Sequence, residues 1–229
     1  MLTKKKKLSK KEIKEDKLIS FYYKTYGFLT ENKSRVLTYA VMAVVVLLLA
    51  IYYVNYRNKE NTEAGIQLAR VMELYDNGAF FQAIEGQAGT NVFGLKKIVE
   101  QYGSTENGET AKIYLANSYS FLGKPEEAFK YYDDYGGSIA ILKAAALSGR
   151  AGYYAFKNNF KKAAELYEKA ANVTKEDIFN PDYLLSAGQN YISAGENKEA
   201  KNVLDKLKKD YVASTAARQV DKYLSQIED

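Results

Sequence analysis

The chain has 229 residues, a net charge of +5, and no cysteine, histidine or tryptophan. Those absences exclude a disulfide framework, thiol chemistry, ordinary zinc and copper sites, a histidine general base and a Ser-His-Asp triad. With only two prolines and long stretches rich in Ala, Leu, Lys, Glu and Tyr, the balance favours helix over strand.

Charge is distributed unevenly along the chain. Residues 1–35 carry eleven Lys/Arg against four acids, or +7, which leaves −2 on the remaining 194 residues. The basic character therefore belongs to the N-terminal tail and does not point to nucleic acid. Within the tail, Lys4, Lys5, Lys6 and Lys7 form a run best explained as a topology determinant, reinforced by Lys33 and Arg35. Ser9 to Glu12 fits a capping box. Beyond it, Ile13, Leu18, Tyr22, Tyr26 and Leu29 make a modest amphipathic stripe, which predicts a helix over 10–26 lying on the inner membrane surface. The alternative is a partly helical, solvated tail. Gly27 to Ser34 is expected to turn the chain into the next segment.

That segment, Val36 to Val54, runs nineteen residues without a charge between Arg35 and Arg57. At about 1.5 Å of rise per residue, a helix of this length matches a hydrocarbon core of roughly 30 Å. It is longer than a signal-peptide core and lacks a small-x-small cleavage site, and Tyr52 and Tyr53 suit an interfacial belt. The reading is a single transmembrane anchor, with the basic tail in the cytoplasm and the larger C-terminal part outside.

Asn55 to Asn77 continues in a helical pattern, with Gly65 as a place for a bend. Ala79 to Phe93 reads as a broken helix plus loop, and Leu95 to Tyr102 as a short helix ended by Gly103. From there the chain is periodic. The segment Ala116 to Tyr132 aligns with Ala151 to Ala170 and with Gly188 to Leu207. Tyr119, Tyr154 and Tyr191 keep one spacing, and Ala128, Ala163 and Ala200 lie 35 and 37 residues apart. Gly123, Asn158 and Gly195 mark the turns, with Tyr167 and Gly188 at further recurring positions. This pattern resembles the tetratricopeptide (TPR) repeat, although the usual opening Trp position holds Lys112, Leu147 and Leu184. The resemblance implies an all-α chain: one N-terminal transmembrane helix followed by a TPR-type α-solenoid. Repeats are expected over about 109–142, 144–178 and 181–212, after a degenerate unit at 61–105 and before a capping helix at 213–228.

A TPR superhelix binds partners along the face built by its first helices. Carried over by register, that face would show Ile113, Asn117 and Phe121, then Ser148, Gly152 and Phe156, then Leu185, Gln189 and Ile192. None is basic, which argues against a carboxylate clamp. An apolar floor with two amides fits an extended peptide. The alternative is that Phe121 and Phe156 merely pack between repeats. Acidic pairs such as Glu126-Glu127 and Asp133-Asp134 fall at turns and helix surfaces, and Gly136-Gly137 lacks the spacing of a phosphate loop. No catalytic, cofactor or metal site is expected.

The whole layout, including Asp16 to Gly27 leading toward the anchor, resembles the YfgM family. That resemblance implies a bacterial inner-membrane accessory subunit of the Sec translocon, acting with a PpiD-like periplasmic chaperone on nascent secretory polypeptides in the periplasm. A scaffold in another envelope assembly is the alternative, and an enzyme is disfavoured by the missing His and Cys.

Overall fold

A computed structural model of the chain describes residues 10–227, with side chains apart from those of residues 10–16 and 18. Among the described residues there is no strand, only an isolated antiparallel bridge between Gly86 and Phe93. The chain divides into two units, residues 1–56 and 57–229.

The first unit holds helix α1, Lys10–Glu31, and the beginning of α2, Lys33–Asp76. The turn expected over Gly27 to Ser34 is absent. Only Asn32 leaves the helix, and bonds from Asn32 N to Phe28 O (3.0 Å) and from Val36 N to Asn32 O (2.9 Å) carry the ladder across it. Local side chains explain the continuity. Thr30 and Asn32 donate to the carbonyls of Tyr26 and Phe28 at 3.0 and 3.1 Å, so their polar groups are satisfied within the helix instead of competing with it. Lys33 and Arg35 are exposed at the start of α2, and residues 37–56 are exposed on every side. By length and composition this helix can cross a membrane. Lys4, Lys5, Lys6 and Lys7 lie outside the described residues.

The second unit is a run of helix pairs. The remainder of α2 pairs with α3 (Phe80–Glu85) and α4 (Leu95–Tyr102), and α5 (Glu106–Phe121) with α6 (Pro125–Asp133). Next come α7 (Ala140–Phe156) with α8 (Phe160–Ala171), and α9 (Asn180–Ser193) with α10 (Asn197–Asp210). A 3-10 turn, Ala217–Gln219, leads into the short α11, Val220–Leu224.

One turn closes each pair. Gly78, Gly123, Asn158 and Gly195 all take left-handed backbone, with φ between 58° and 74°. The next amide in each case reaches back five residues: Ala79 to Leu74, Lys124 to Tyr119, Asn159 to Tyr154, Glu196 to Tyr191, at 2.8–2.9 Å. This is a glycine-type helix C-cap, and Asn is the residue that best tolerates its conformation after Gly. Five residues past each turn stands a buried alanine, Ala83, Ala128, Ala163 or Ala200, none more than 2% exposed. The first pair thus shares the register of the others. Its signal, Gly78 followed by Ala83, is masked in the sequence because residues 86–94 form a loop that splits the second helix into α3 and α4.

Cores form between neighbouring pairs. Leu68, Val71, Ile84, Leu95, Ile98 and Leu115 make one cluster. Ile113, Ala116, Ala128, Tyr132 and Ala146 make a second. Tyr183, Leu184, Tyr191, Leu204, Leu207 and Val220 anchor the third, which the C-terminal α11 completes through Leu224. At Gly65, where a bend was conceivable, α2 runs on unbroken. A Cβ there would stand 3.0 Å from the Asn107 amide, so the glycine serves the close approach of α5. Asn107 in turn donates its backbone N–H to Asn61 Oδ1 at 2.8 Å and its side-chain amide to Asn61 O at 2.9 Å.

Candidate protein-binding cleft

The sequence of α7, Ala140–Phe156, is unusually poor in bulk along one side. Gly149 and Gly152 stand one turn apart with no side chain between them and α6. Into that gap fits the ring of Tyr132, which is 7% exposed and lies so close that a Cβ on Gly149 would be 2.4 Å from it. Above the ring a cleft of about 380 Å³ remains open between the end of α5, the start of α6 and α7. Its floor is Tyr132, Ala128 and Gly152, and its walls are Ser120 and Pro125 on one side and Tyr153 and Phe156 on the other.

The floor is fixed by hydrogen bonds. The Tyr132 hydroxyl donates to Asn117 Oδ1 at 2.6 Å, with Ser120 Oγ 3.4 Å away, and Asn117 Nδ2 donates to the Tyr75 hydroxyl at 3.3 Å. Burial pushes the phenols of Tyr132 and Tyr75 above their ordinary range, so both stay protonated. On the wall, Tyr153 stacks on Phe129 with ring centres 4.2 Å apart, which holds its orientation. Phe156 is 58% exposed, with the Lys157 ammonium 4.9 Å from its ring centroid. Lys157 is paired with Glu126 across the rim at 2.5 Å. That hydrogen bond holds the ammonium above and the carboxyl below its ordinary range, so both stay charged and paired. The result is a neutral, aromatic-walled cleft with no nucleophile and base in contact.

The residues expected along one binding face are separated by the structure. Asn117 and Phe156 belong to the cleft and its hydrogen-bonded floor. Phe121 is 64% exposed but stacks on Phe80 of the first pair at 4.5 Å, so one of its faces is already covered. Ile113 and Leu185 are 2% and 7% exposed and pack inside the cores, away from any open groove. Ile113 packs in one cluster with Tyr132 and Ala146 and Leu185 in another with Leu184 and Leu204, and spacing alone does not encode which neighbours a position meets. Gln189 and Ile192 are half-buried, with Ile192 packed against the last core. The wall and floor residues Tyr132, Tyr153 and Pro125 were not singled out as binding positions. The glycines one turn apart in α7 are the sequence signal that marks them.

The repeat-signature tyrosines hold the pairs together. Tyr119 stacks on Tyr131 at 5.8 Å, Tyr154 meets Phe129 edge-on at 5.8 Å, and Tyr191 donates to Glu168 at 3.0 Å. Tyr167 is half-buried against the last core. Gly188 lets Leu204 approach to where a Cβ would be 2.6 Å away. Lys112, at the usual Trp position, is buried between Glu109 (2.9 Å) and Asp134 (2.8 Å). Burial pulls its ammonium pKa down, but the bonds to Asp134 and Glu109 outweigh it and leave the pKa raised. An ion pair thus does the joining that an indole would do.

No protein-family model matches the chain, and no characterised protein matches it in sequence. Solved structures do match in fold. Two are crystal structures of nearly identical TPR-like repeats from a Podosopora anserina protein described as a kinesin light chain, one of them a point variant. The variant superposes with a TM-score of 0.55 at 15% identity, over 73% of this chain and 85% of its own. The other gives 0.52 at 14% identity, over 73% and 94%. The chain has a TPR-like helical repeat fold.

Proposed function

We propose that the protein is a non-catalytic, single-pass membrane scaffold whose TPR-like unit holds extended polypeptide in the cleft between α5, α6 and α7. The observation that carries this reading is the cleft itself, neutral and aromatic-walled, with a hydrogen-bonded floor. Such a surface takes an apolar side chain of an extended segment while neighbouring amides serve its backbone. Anchoring rests on α2, whose apolar window has none of its surface buried, unlike the core helix of a globular protein.

The finer assignment rests on the resemblance to the YfgM family and on the charge asymmetry of the tail. It places the chain in a bacterial inner membrane, with the N-terminus in the cytoplasm and the repeats in the periplasm. There it assists the Sec translocon beside a PpiD-like chaperone, and its clients are emerging secretory polypeptides.

A photo-crosslinking residue at position 156 of the full chain, in intact membranes, tests both levels. The expected adducts are translocon subunits or polypeptides in transit, with few at exposed Arg218, far along the sequence from the cleft. Equal labelling at both positions would remove the cleft as the site. A reporter active only outside the cytoplasm, fused after Asp229, should be active; activity of a cytoplasm-only reporter would reverse the orientation.

A further inference from the structure

Helices α1 and α2 carry a repeat that neither the span nor the TPR-like unit uses. The backbone ladder passes through Asn32 without a turn, so side chains from Ile19 to Val54 keep one helical register. Written in heptads a–g with Ile19 at a, α1 places Ile19, Tyr22, Tyr26 and Leu29 at successive a and d positions. All four are large and open, 42% to 63% exposed. Tyr22 stacks on Tyr26 with ring centres 6.2 Å apart, which joins them into one ridge. The same steps run on through Val36 to Ala40, Ala43, Leu47, Ala50 and Val54 of α2, and every alanine between residues 36 and 54 falls on this seam.

The charges are kept off the seam's flanks. Lys17, Lys24 and Glu31 stand at f, on the far side of the helix, and no e or g position between Ile19 and Val54 is charged. Thr25 and Thr30, at g and e, donate to Phe21 O and Tyr26 O at 2.8 and 3.0 Å, so their hydroxyls need no water when covered. Lys33 is the one charged residue on the seam itself. A single Lys at an a position is a known specifier of register and partner number in parallel pairs, at a cost in stability.

We propose that the occupant of this seam is a second copy of the chain, and that the protein is a parallel homodimer paired along α1 and the apolar part of α2. This rests on the reading of α2 as a membrane anchor. A second copy, anchored in the same direction, presents the same seam at the same depth over its whole length. One geometry serves both parts, because a 3.5-residue repeat winds helices left-handedly and left-handed crossings near +20° are also usual between helices in lipid. Along α1 the gain is burial of Ile19, Tyr22, Tyr26 and Leu29 from water; along α2 it is close backbone approach at the alanines. The seam runs for about five heptads, beyond the three or four that mark a coiled coil. With its e and g positions it offers roughly 20 residues a side, on the scale of a stable protein interface. Two TPR-like units are then carried on one anchor, so a long polypeptide held by one cleft meets the second at raised local concentration.

The chain has no cysteine, so a single introduced thiol reports one position without background. The experiment oxidises isolated membranes holding the full chain with Tyr22→Cys or Tyr26→Cys on the seam, and with Lys24→Cys or Phe28→Cys off it. A disulfide forms only where the two Cα atoms come within about 7 Å. The expected result is a covalent dimer of the chain at 22 and 26 and little at 24 and 28. Equal yields at all four positions, maxima at 24 and 28, or adducts only with other proteins would overturn the pairing. A second measurement, sedimentation of the purified full chain in detergent, covers the membrane part. The parent should have the mass of a dimer; Ala43→Trp, on the seam, should weaken association at least tenfold, and Val45→Trp, at f, should leave it unchanged. A monomeric or trimeric parent, or equal effects of the two substitutions, would overturn the proposal. An alkaline carbonate wash separates it from the anchor reading. Retention in the membrane without crosslinks overturns the pairing alone, whereas release with the crosslinks at 22 and 26 intact overturns the anchor and leaves α1 paired.

Discussion

The phenol of Tyr132 donates to the carboxamide of Asn117 at 2.6 Å, a bond that helps tie α6 to α5 beneath the cleft. Asn117 passes the link on to Tyr75, in the preceding pair, so α2, α5 and α6 share one polar chain inside an otherwise apolar interface. Removing the phenol by Tyr132→Phe takes one neutral hydrogen bond, about 0.5–1.5 kcal/mol. Asn117→Leu keeps the volume but strands a buried hydroxyl, with only the distant Ser120 Oγ to receive it, and costs about 1–3 kcal/mol. Because both changes break the same bond, the double variant should lose less than the sum. Thermal unfolding of the four proteins measures the coupling. Additivity to within about 0.5 kcal/mol would mean that the contact contributes nothing of its own.

Ala163 is fully buried where α8 meets α7, five residues past the left-handed turn at Asn158. Ala163→Leu inserts three carbons into a closed contact, and overpacking of this kind costs about 1–3 kcal/mol. The variant should melt several degrees below the parent. An unchanged midpoint would contradict the register that equates Ala83, Ala128, Ala163 and Ala200.

Much of the repeat fold was legible in the sequence because its determinants are local. The turn at Gly123 needs a left-handed residue, the alanine five residues on needs a small side chain, and both needs show as spacing. The same pair of needs at Gly78 and Ala83 went unread, since the loop at 86–94 stretches that unit and breaks its period. The end of α1 was also misjudged. Gly27 suggests a turn in isolation, whereas a Cβ there would meet nothing within 4 Å and the helix simply passes through. The cleft was only half legible. Phe156 stood out by register, but Ile113 and Leu185, which share the position of Ser148, are buried among residues of neighbouring helices, a non-local quantity. The lining by Tyr132 follows from the absence of side chains at Gly149 and Gly152, and an absence carries little signal in a pattern built from what is present.

The many buried tyrosines fix the behaviour at high pH. Desolvation by burial is the largest cause raising the phenols of Tyr75, Tyr119, Tyr131, Tyr132, Tyr135, Tyr167, Tyr183 and Tyr191. A group whose pKa is raised by folding contributes stability below its unfolded value and loses it as pH climbs through the folded one. Lys112, also raised, works in the same direction. Stability should therefore be insensitive to these groups near neutrality and fall steeply once pH passes the ordinary phenol value of about 10. Phenolate absorbance and helical circular dichroism, followed together, check this. The buried fraction of phenolate should appear only as helix is lost. Full ionisation of every tyrosine with the helices intact would contradict it.

Two glycines one turn apart on α7 allow stability and binding to be separated. At Gly149 a Cβ would lie 2.4 Å from the buried Tyr132 ring, so Gly149→Ala must displace the ring or the helix and should destabilise by about 1–3 kcal/mol. At Gly152 a Cβ meets only the Tyr167 hydroxyl, at 3.5 Å, an ordinary contact. Gly152→Ala should therefore stabilise, by up to the roughly 0.8–1 kcal/mol that separates the two residues in a helix interior. The same position lines the cleft, and Gly152→Leu places a side chain where a bound residue would go. An apolar side chain buried in the cleft contributes about 1.5–3 kcal/mol, so its exclusion should weaken capture of extended polypeptide at least tenfold. The pair of measurements is a melting curve and a titration with a fluorescent unfolded polypeptide, on the full chain in detergent. Gly152→Leu should melt no lower than the parent and bind far less. If it stays folded and binds as before, polypeptide does not use this cleft, whatever the fate of Gly149→Ala.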